Sequence, residues 1–365
     1  MLRIVHLTSV HKENDNRIFY KECQTLQSVG YDISLICAGS ESKIVKDIKI
    51  YGYPKKNKGR IYRIFKTSFI DMIKMCRKVE ADIYHFHDPE LIFVGLYLKI
   101  IGKKVIYDIH ENNPASILSK SYIKYKFIKK ILAYIFDKFE KFVSKFFDAI
   151  VTARPDITKR FNHKQIITLR NFPILPDFNK LKKINIKKYK PVVIFVGGMT
   201  KIRGIYELLE AFEELNEYEL WLLGPIQEKE LETKINNSSQ NIKYFGIVEA
   251  YEVFSYIQKA DIGIITFLEV PNHINTLATK PFEYMACGKP MIMSNFPYWK
   301  DTFKDGSLYV DPSNPKEIAQ IIKQLLSNPN LIKKMGEYNK QMIIDEYNWE
   351  KESQKLIKLY NELNN

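Results

Sequence analysis

Short, almost purely apolar runs alternate along this chain with longer stretches whose apolar residues recur at helical spacing. Residues 2–9 open the pattern. Tyr31–Cys37, Ile48–Tyr53, Asp82–Phe86, Lys103–Ile109, Asp148–Ala153 and Ile166–Leu169 continue it. These runs lack the strict apolar–polar alternation of a half-exposed strand, so they suit a parallel sheet buried on both faces. Between them a helix carries Ile18, Phe19, Cys23 and Leu26 on one side and stops at Gly30. A second helix runs through Met75, a third starts at Pro89, and residues 116–147 form one long amphipathic helix or two. Strands alternating with helices predict a doubly wound α/β half.

Residues 173–190, Pro-bearing and then Lys-rich, read as a linker, after which the pattern restarts. Strands are expected at Pro191–Val196, Glu219–Leu223, Ile242–Phe245, Asp261–Phe267 and Pro290–Ser294, with two helices filling residues 314–346 and a last one at Trp349–Leu363. The expected organisation is an N-terminal domain over 1–172, the linker, a C-terminal domain over 191–346 and a terminal helix over 347–365. A length of 365 residues, 45% of them hydrophobic, is ample for two cores.

Charge adds a partner class. Lys+Arg number 56 against 42 Asp+Glu, giving +14, which suits an anionic partner: nucleic acid, a phosphorylated substrate or an acidic membrane surface. No helix-turn-helix, zinc or RNA-binding signature accompanies it. Four scattered cysteines without metal-ligand spacing read as reduced thiols in a cytosolic protein. Leu2–Leu7 reads as a buried strand, not a signal peptide, and no apolar run is long enough to cross a bilayer.

Candidate chemistry clusters at the carboxyl ends of expected strands, where ligands sit in parallel sheets. After the first strand comes His11-Lys12-Glu13-Asn14-Asp15-Asn16-Arg17, with no dinucleotide glycine fingerprint. It is either a solvated loop with Asp15 capping the next helix, or it turns His11, Asp15 or Arg17 into a crevice. His110, flanked by Asp108 and Glu111, ends another strand and is well placed for a reacting group. His85, His87 and His110 lie on separate elements without zinc-helix spacing, so no metal is expected. Gly197-Gly198-Met199-Thr200-Lys201-Ile202-Arg203-Gly204 opens a helix with glycines and cations, the design of an anion-binding loop. Thr279–Pro290 reads as loop, helix and turn: Pro281 suits the first turn, Phe282, Met285 and Ala286 face inward, and Gly288 takes the left-handed cap. Glu283 in that first turn either accepts ribose hydroxyls or merely complements the helix dipole.

These residues resemble one family. The stretch Lys280-Pro281-Phe282-Glu283-Tyr284-Met285-Ala286-Cys287-Gly288-Lys289-Pro290, the Val196-Gly197-Gly198…Arg203-Gly204 loop and Asp108-Ile109-His110-Glu111 are similar to glycosyltransferase family 4 (group 1). So are the opening His11…Asn14-Asp15-Asn16-Arg17-Ile18-Phe19 and the terminal Tyr347-Asn348-Trp349 helix. The resemblance implies the GT-B fold: two Rossmann-like, doubly wound domains facing a central cleft, with the last helix crossing back to the N-terminal domain. It implies retaining sugar transfer from a UDP- or GDP-type nucleoside diphosphate sugar to an acceptor hydroxyl, with no further cofactor and no metal. Gly197, Gly198, Arg203 and Lys280 would hold the diphosphate, Glu283 the ribose, and His110 would touch the donor sugar as the domains close. Where the family carries a first glutamate, this chain has Asn275, which can bond a sugar hydroxyl but carries no charge. A nucleotide-sugar epimerase or phosphorylase of the same fold, or a basic nucleic-acid-binding protein, are the competing readings.

The helix over Tyr122–Phe147 bears on the acceptor. Its stripe Ile128, Leu132, Ile135, Phe139, Phe142 and Phe146 is expected to be buried against the N-terminal sheet. Lys124, Lys126, Lys129, Lys130 and the outlying aromatics would be left free to touch an anionic membrane. Enzymes resembling this one often build bacterial surface polysaccharides on lipid-linked acceptors, so the resemblance implies a cytoplasmic enzyme that can work peripherally on the inner face of the membrane.

Overall fold

The computed structural model describes residues 2–55, 59, 62–120 and 123–364. Tyr122, expected in the long helix, and part of the basic segment before Arg63 lie outside the described residues. Two compact units emerge, Met1–Asn171 with Trp349–Asn365, and Phe172–Asn348. The segment 173–190, read as a linker, groups with the second unit. Leu175 and Ile186 pack against that unit's core, and Lys182 and Lys188 pair with Glu252 and Asp261.

The first unit is built on an eight-stranded sheet. Its strands are β1 (Arg3–Thr8), β2 (Asp32–Ala38), β3 (Lys43–Val45), β4 (Ile48–Tyr53), β5 (Ile83–Phe86), β6 (Lys104–Ile109), β7 (Ala149–Thr152) and β8 (Ile166–Thr168). Their order in space is β3-β4-β2-β1-β5-β6-β7-β8, and only the β3–β4 pair is antiparallel. The chain winds outward from β1 through β2 and β4, then returns beside β1 with β5, so the strand order reverses between β1 and β5. That reversal leaves a crevice at the strands' carboxyl ends.

The last helix, Trp349–Asn364, belongs to this first unit, as the resemblance implied. Leu356, Leu359, Tyr360 and Leu363 join Ile4, Ile18 and Ile33 in one buried cluster. The Trp349 indole donates to Thr25 Oγ1 at 2.8 Å, and Glu352 accepts from the Arg170 amide at 2.7 Å.

Residues 116–147 resolve as two helices, Asn113–Ser119 and Lys126–Ser144. The stripe expected to be buried on the second is not. Ile128, Leu132, Ile135, Phe142 and Phe146 are all exposed, and within that stripe only Phe139 packs inward. The cause is polar. Glu140 is buried where it accepts from the Tyr107 hydroxyl at 2.9 Å and pairs with Arg160 at 2.7 Å. Asp137 pairs with the same Arg160 at 2.8 Å. A buried charge is costly unless paired, so these contacts set the helix's rotation and turn the aliphatic stripe outward.

The second unit repeats the plan with six strands, all parallel: β9 (Val192–Val196), β10 (Glu219–Leu223), β11 (Ile242–Tyr244), β12 (Ile262–Ile265), β13 (Met291–Ser294) and β14 (Ser307–Val310). The order β11-β10-β9-β12-β13-β14 reverses between β9 and β12. The helix Lys280–Ala286 is pinned at that point. The Tyr284 hydroxyl accepts from the Val196 amide at 3.0 Å and donates to the Ile194 carbonyl at 3.2 Å, while its ring covers Gly263 of β12. A Cβ at Gly263 would lie 2.3 Å from that ring, so only glycine lets the helix come this close. The expected cap is present: Gly288 is left-handed and the Lys289 amide bonds back to the Tyr284 carbonyl at 2.9 Å. Among the described residues no helix is long and apolar enough to cross a membrane.

Candidate active site

The reversal point of the second unit holds a cavity of about 390 Å3. β9 delivers Val196, Gly197 and Gly198 to it, the following turn delivers Arg203, and β12 delivers Phe267. His273, Thr276, Ala278, Thr279, Lys280 and Trp299 complete the lining, which contains no carboxylate among the described residues. Gly204, at φ 70°, ends the turn and starts the helix Ile205–Glu213. A Cβ there would fall 1.8 Å from the Thr266 carbonyl oxygen, so this glycine lets the loop lie against the end of β12.

Arg203 is held without a carboxylate. Its Nη1 donates to the Gly198 carbonyl at 2.9 Å, and its guanidinium lies 5.4 Å from the centre of the Phe267 ring. Among the described residues it forms no ion pair, and burial lowers its pKa. Lys280 is different. Its Nζ sits 2.7 and 2.8 Å from the two oxygens of Glu283, three residues on.

Gly197, Gly198, Arg203 and Lys280 are thus brought together as the sequence suggested. Glu283 is not a lining residue and meets the cavity through Lys280; Asn275 is exposed at the end of the short helix Pro271–Ile274 and does not line it either. Phe267 and Trp299 escaped sequence reasoning because an apolar residue lining a pocket reads the same as one in a core. Trp299 donates from Nε1 to the Thr276 carbonyl at 2.7 Å and so fixes the loop that closes the cavity.

The first unit's reversal point is filled with ionisable groups. Asp108, fully buried on β6, receives Arg17 through Nε at 3.2 Å and Nη2 at 3.0 and 3.1 Å. Burial alone would raise the Asp108 carboxyl. Arg17, with His110 and His87, overrides burial and holds it well below the usual carboxylate range. Arg17 also lies 2.9 Å from Glu22, whose carboxyl is pushed well up by burial and by the neighbouring Asp108 charge.

His110 places Nε2 3.1 Å from Asp108 Oδ2 and 3.2 Å from His87 Nδ1. An ionised carboxylate can only accept, so Asp108 draws the proton to Nε2 and leaves Nδ1 as an acceptor. His87 continues inward to His6 at 2.9 Å, and His85 bonds Tyr360 at 2.8 Å. Burial lowers the pKa of all three inner imidazoles, that of His87 to about 4. Asp88, after β5, ties the end of β1 through Thr8 Oγ1 at 2.9 Å and the Ser9 amide at 2.6 Å. Asp15 caps its helix, accepting from the Arg17 and Ile18 amides at 2.8 and 2.9 Å, and also meets His11 at 3.2 Å.

Among the described residues two groups have the ligand set for a cation: His6, Glu22, His85 and His87, and His87, Asp108 and His110. Their atoms already bond one another or stand beside the Arg17 guanidinium, which opposes a second cation.

Two doubly wound units, the second with a carboxylate-free cavity at its reversal point, define a protein of the GT-B class. Comparison with known sequences fixes the family. Residues 16–168 match the Glycosyltransferase Family 4 model, and residues 177–342 match Glycosyl transferases group 1. The chain belongs to this family of glycosyltransferases. An uncharacterized glycosyltransferase of Methanocaldococcus jannaschii is 25% identical over 347 residues, 87% of this chain and 86% of that one. Spore coat protein SA of Bacillus subtilis is 26% identical over 183 residues, covering 47% of this chain and 48% of that one. In structure, a sucrose-phosphate synthase from Thermosynechococcus elongatus superposes with a TM-score of 0.75 at 14% identity over 100% of this chain and 99% of that one. HepE of Anabaena, solved with UDP and glucose, gives 0.71 at 12% identity over 99% and 100%. The non-enzymatic reading falls with the family assignment.

Proposed function

We propose that this enzyme moves a sugar from a nucleoside diphosphate sugar to an acceptor hydroxyl with retention of the anomeric configuration. The observation that carries the reading is Arg203: a half-buried guanidinium without an ion-pair partner among the described residues, in a cavity lined by no carboxylate. A diphosphate supplies the missing charge with bidentate geometry. The bond from C1 to the diphosphate breaks, the bond from C1 to the acceptor oxygen forms, and the acceptor proton leaves with the diphosphate. Arg203, Lys280 and the amides around Gly197 and Gly198 stabilise the charge that grows on the leaving group. Lys280 is freed in part from Glu283 as phosphate arrives, and Glu283 turns to the ribose. His110 offers Nδ1 to a reactant hydroxyl, and Asn275 bonds a sugar hydroxyl. No metal is required, because the charge is met by protein groups. The UDP and glucose held by HepE favour a donor of this class.

The acceptor we assign is a lipid-linked saccharide, in the synthesis of bacterial surface polysaccharide, at the cytoplasmic face of the cell membrane. Product analysis with UDP- and GDP-sugars, with and without such an acceptor, tests the whole reading. Sugar release without transfer, or inversion at C1, overturns it. Within the site, Arg203→Ala should weaken nucleoside diphosphate binding by about 1.5–3 kcal/mol, at least tenfold, and nucleoside binding little. Calorimetry with UDP and uridine separates the two; equal losses place Arg203 away from the phosphates.

A further inference from the structure

The helix Lys126–Ser144 shows water a surface that a soluble fold normally hides. Phe127, Ile131, Tyr134, Ile135 and Phe142 expose between 41 and 72% of their area. Ile128 and Leu132 beside them are also exposed. A contiguous apolar face of this kind marks an interaction site. Its charge is one-sided. Lys124, Lys126, Lys130, Lys138 and Lys145 are exposed along the same helix and its ends. The helix's two acids, Asp137 and Glu140, are turned to Arg160, and Glu140 is fully buried.

We propose that this face seats the first unit on an anionic lipid surface, with the aromatic and aliphatic side chains among the acyl chains and the lysines at the headgroups. Charge complementarity selects that occupant. A second copy of the chain, docked face to face, would set lysines against lysines with no carboxylate on the face to meet them. A nucleic acid would satisfy the lysines and leave the isoleucines and leucine unused.

The placement has a consequence for the acceptor, and here the inference rests on the lipid-linked reading above. The helix's inner edge, Phe136 and Phe139, walls a groove of about 640 Å3 in the same unit. Phe93 and Ile117 also line it, together with the polar His11, Asp88, His110 and Glu111. An acceptor drawn from the membrane lays its apolar stem on the phenyl rings and its hydroxyl head toward His110.

The test is co-sedimentation of the full chain with vesicles of phosphatidylcholine alone or with about 30% phosphatidylglycerol. Binding to the anionic vesicles, at least tenfold weaker to neutral ones and reversed by salt, is expected. Changing Lys124, Lys126, Lys130 and Lys138 to Gln, or Phe127, Ile131 and Phe142 to Ser, should cut it at least tenfold. All seven are surface positions, and an unchanged melting temperature and UDP affinity show that the fold survives. Equal binding of wild type and variants, no binding at low salt, or a dimer that the serine changes dissociate overturns the lipid-surface proposal. Transfer to a lipid-linked acceptor in detergent is scored separately. Its loss with vesicle binding intact removes the acceptor reading and leaves the membrane face standing.

Discussion

Two arginines sit at equivalent places, each in the crevice where a parallel sheet reverses its strand order, and they live in opposite surroundings. Arg17 in the first unit is saturated, with Asp108 in a two-pronged pair, Glu22 beside it and the Leu169 carbonyl at 2.7 Å. Arg203 in the second unit has one carbonyl and the face of one phenyl ring. Fold and location are shared, so the difference lies in the partners alone. A buried cation with its counter-charge built in is architecture: it sets the position of Asp108, and through it the tautomer of His110. A cation held in place without a counter-charge is a ligand site awaiting one. The same topology therefore makes an anchoring network in one half and an anion receptor in the other.

The comparison breaks most sharply at Arg17. Arg17→Met should destabilise the first unit by about 3–5 kcal/mol, because it strands the buried Asp108 carboxylate without its counter-charge. Arg203→Ala should leave stability almost untouched. Denaturant titration followed at the single tryptophan of each half, with Trp221 replaced by Phe, reads the two apart: Trp349 reports the first unit and Trp299 the second. Similar losses for both variants would mean that Arg203 is structural too.

Acid sharpens it next. His6, His85 and His87 are buried with folded pKa values below their unfolded value of about 6.5. Below that pH the unfolded chain binds protons that the folded chain refuses, so stability falls as pH drops from about 6.5 toward the folded values. His87, at about 4, contributes on the order of 3 kcal/mol to this fall. Glu22, held protonated in the fold, acts in the opposite sense above its unfolded pKa and offsets part of it. The second unit has one histidine shifted in the same direction, the half-buried His273. Between pH 7 and pH 5 the Trp349 transition should therefore move to lower denaturant much further than the Trp299 transition. Parallel shifts would show that the imidazole cluster is solvated.

Much of this contrast could be read from residues, and the rest fails for a physical reason. The parallel strands, the Gly197–Arg203 loop and the cap at Gly288 depend on neighbours in sequence, and local spacing reveals them. Arg17 does not: its partner Asp108 lies 91 residues away, and nothing near Arg17 tells an inward rotamer from an outward one. The helix Lys126–Ser144 fails in the same way. Its largest apolar stripe suggested the buried face, but one long-range pair, Glu140 with Arg160, outweighs several aliphatic contacts in setting its rotation. Phe267 and Trp299 were hidden because hydrophobic pattern distinguishes inside from outside, not wall from core.

The smallest effect is expected at Glu283, and it decides how the receptor half is tuned. The carboxylate sits 2.7 Å from Lys280 within one turn, on a side chain 15% exposed. A pair of this kind contributes little to stability, so Glu283→Gln should change unfolding by less than about 1 kcal/mol. Its effect on ligands separates two roles. If Glu283 accepts the ribose hydroxyls, the loss of one charge-assisted bond, about 1.5 kcal/mol or roughly tenfold, falls equally on uridine and UDP. If it only restrains Lys280, glutamine frees that ammonium for the phosphates. Uridine is then unaffected, and UDP binds as well as before or better. Equal tenfold losses for uridine and UDP are the expected result. A gain confined to UDP would make Glu283 a brake on Lys280, and Arg203 would then share the diphosphate with a cation the fold holds partly in reserve.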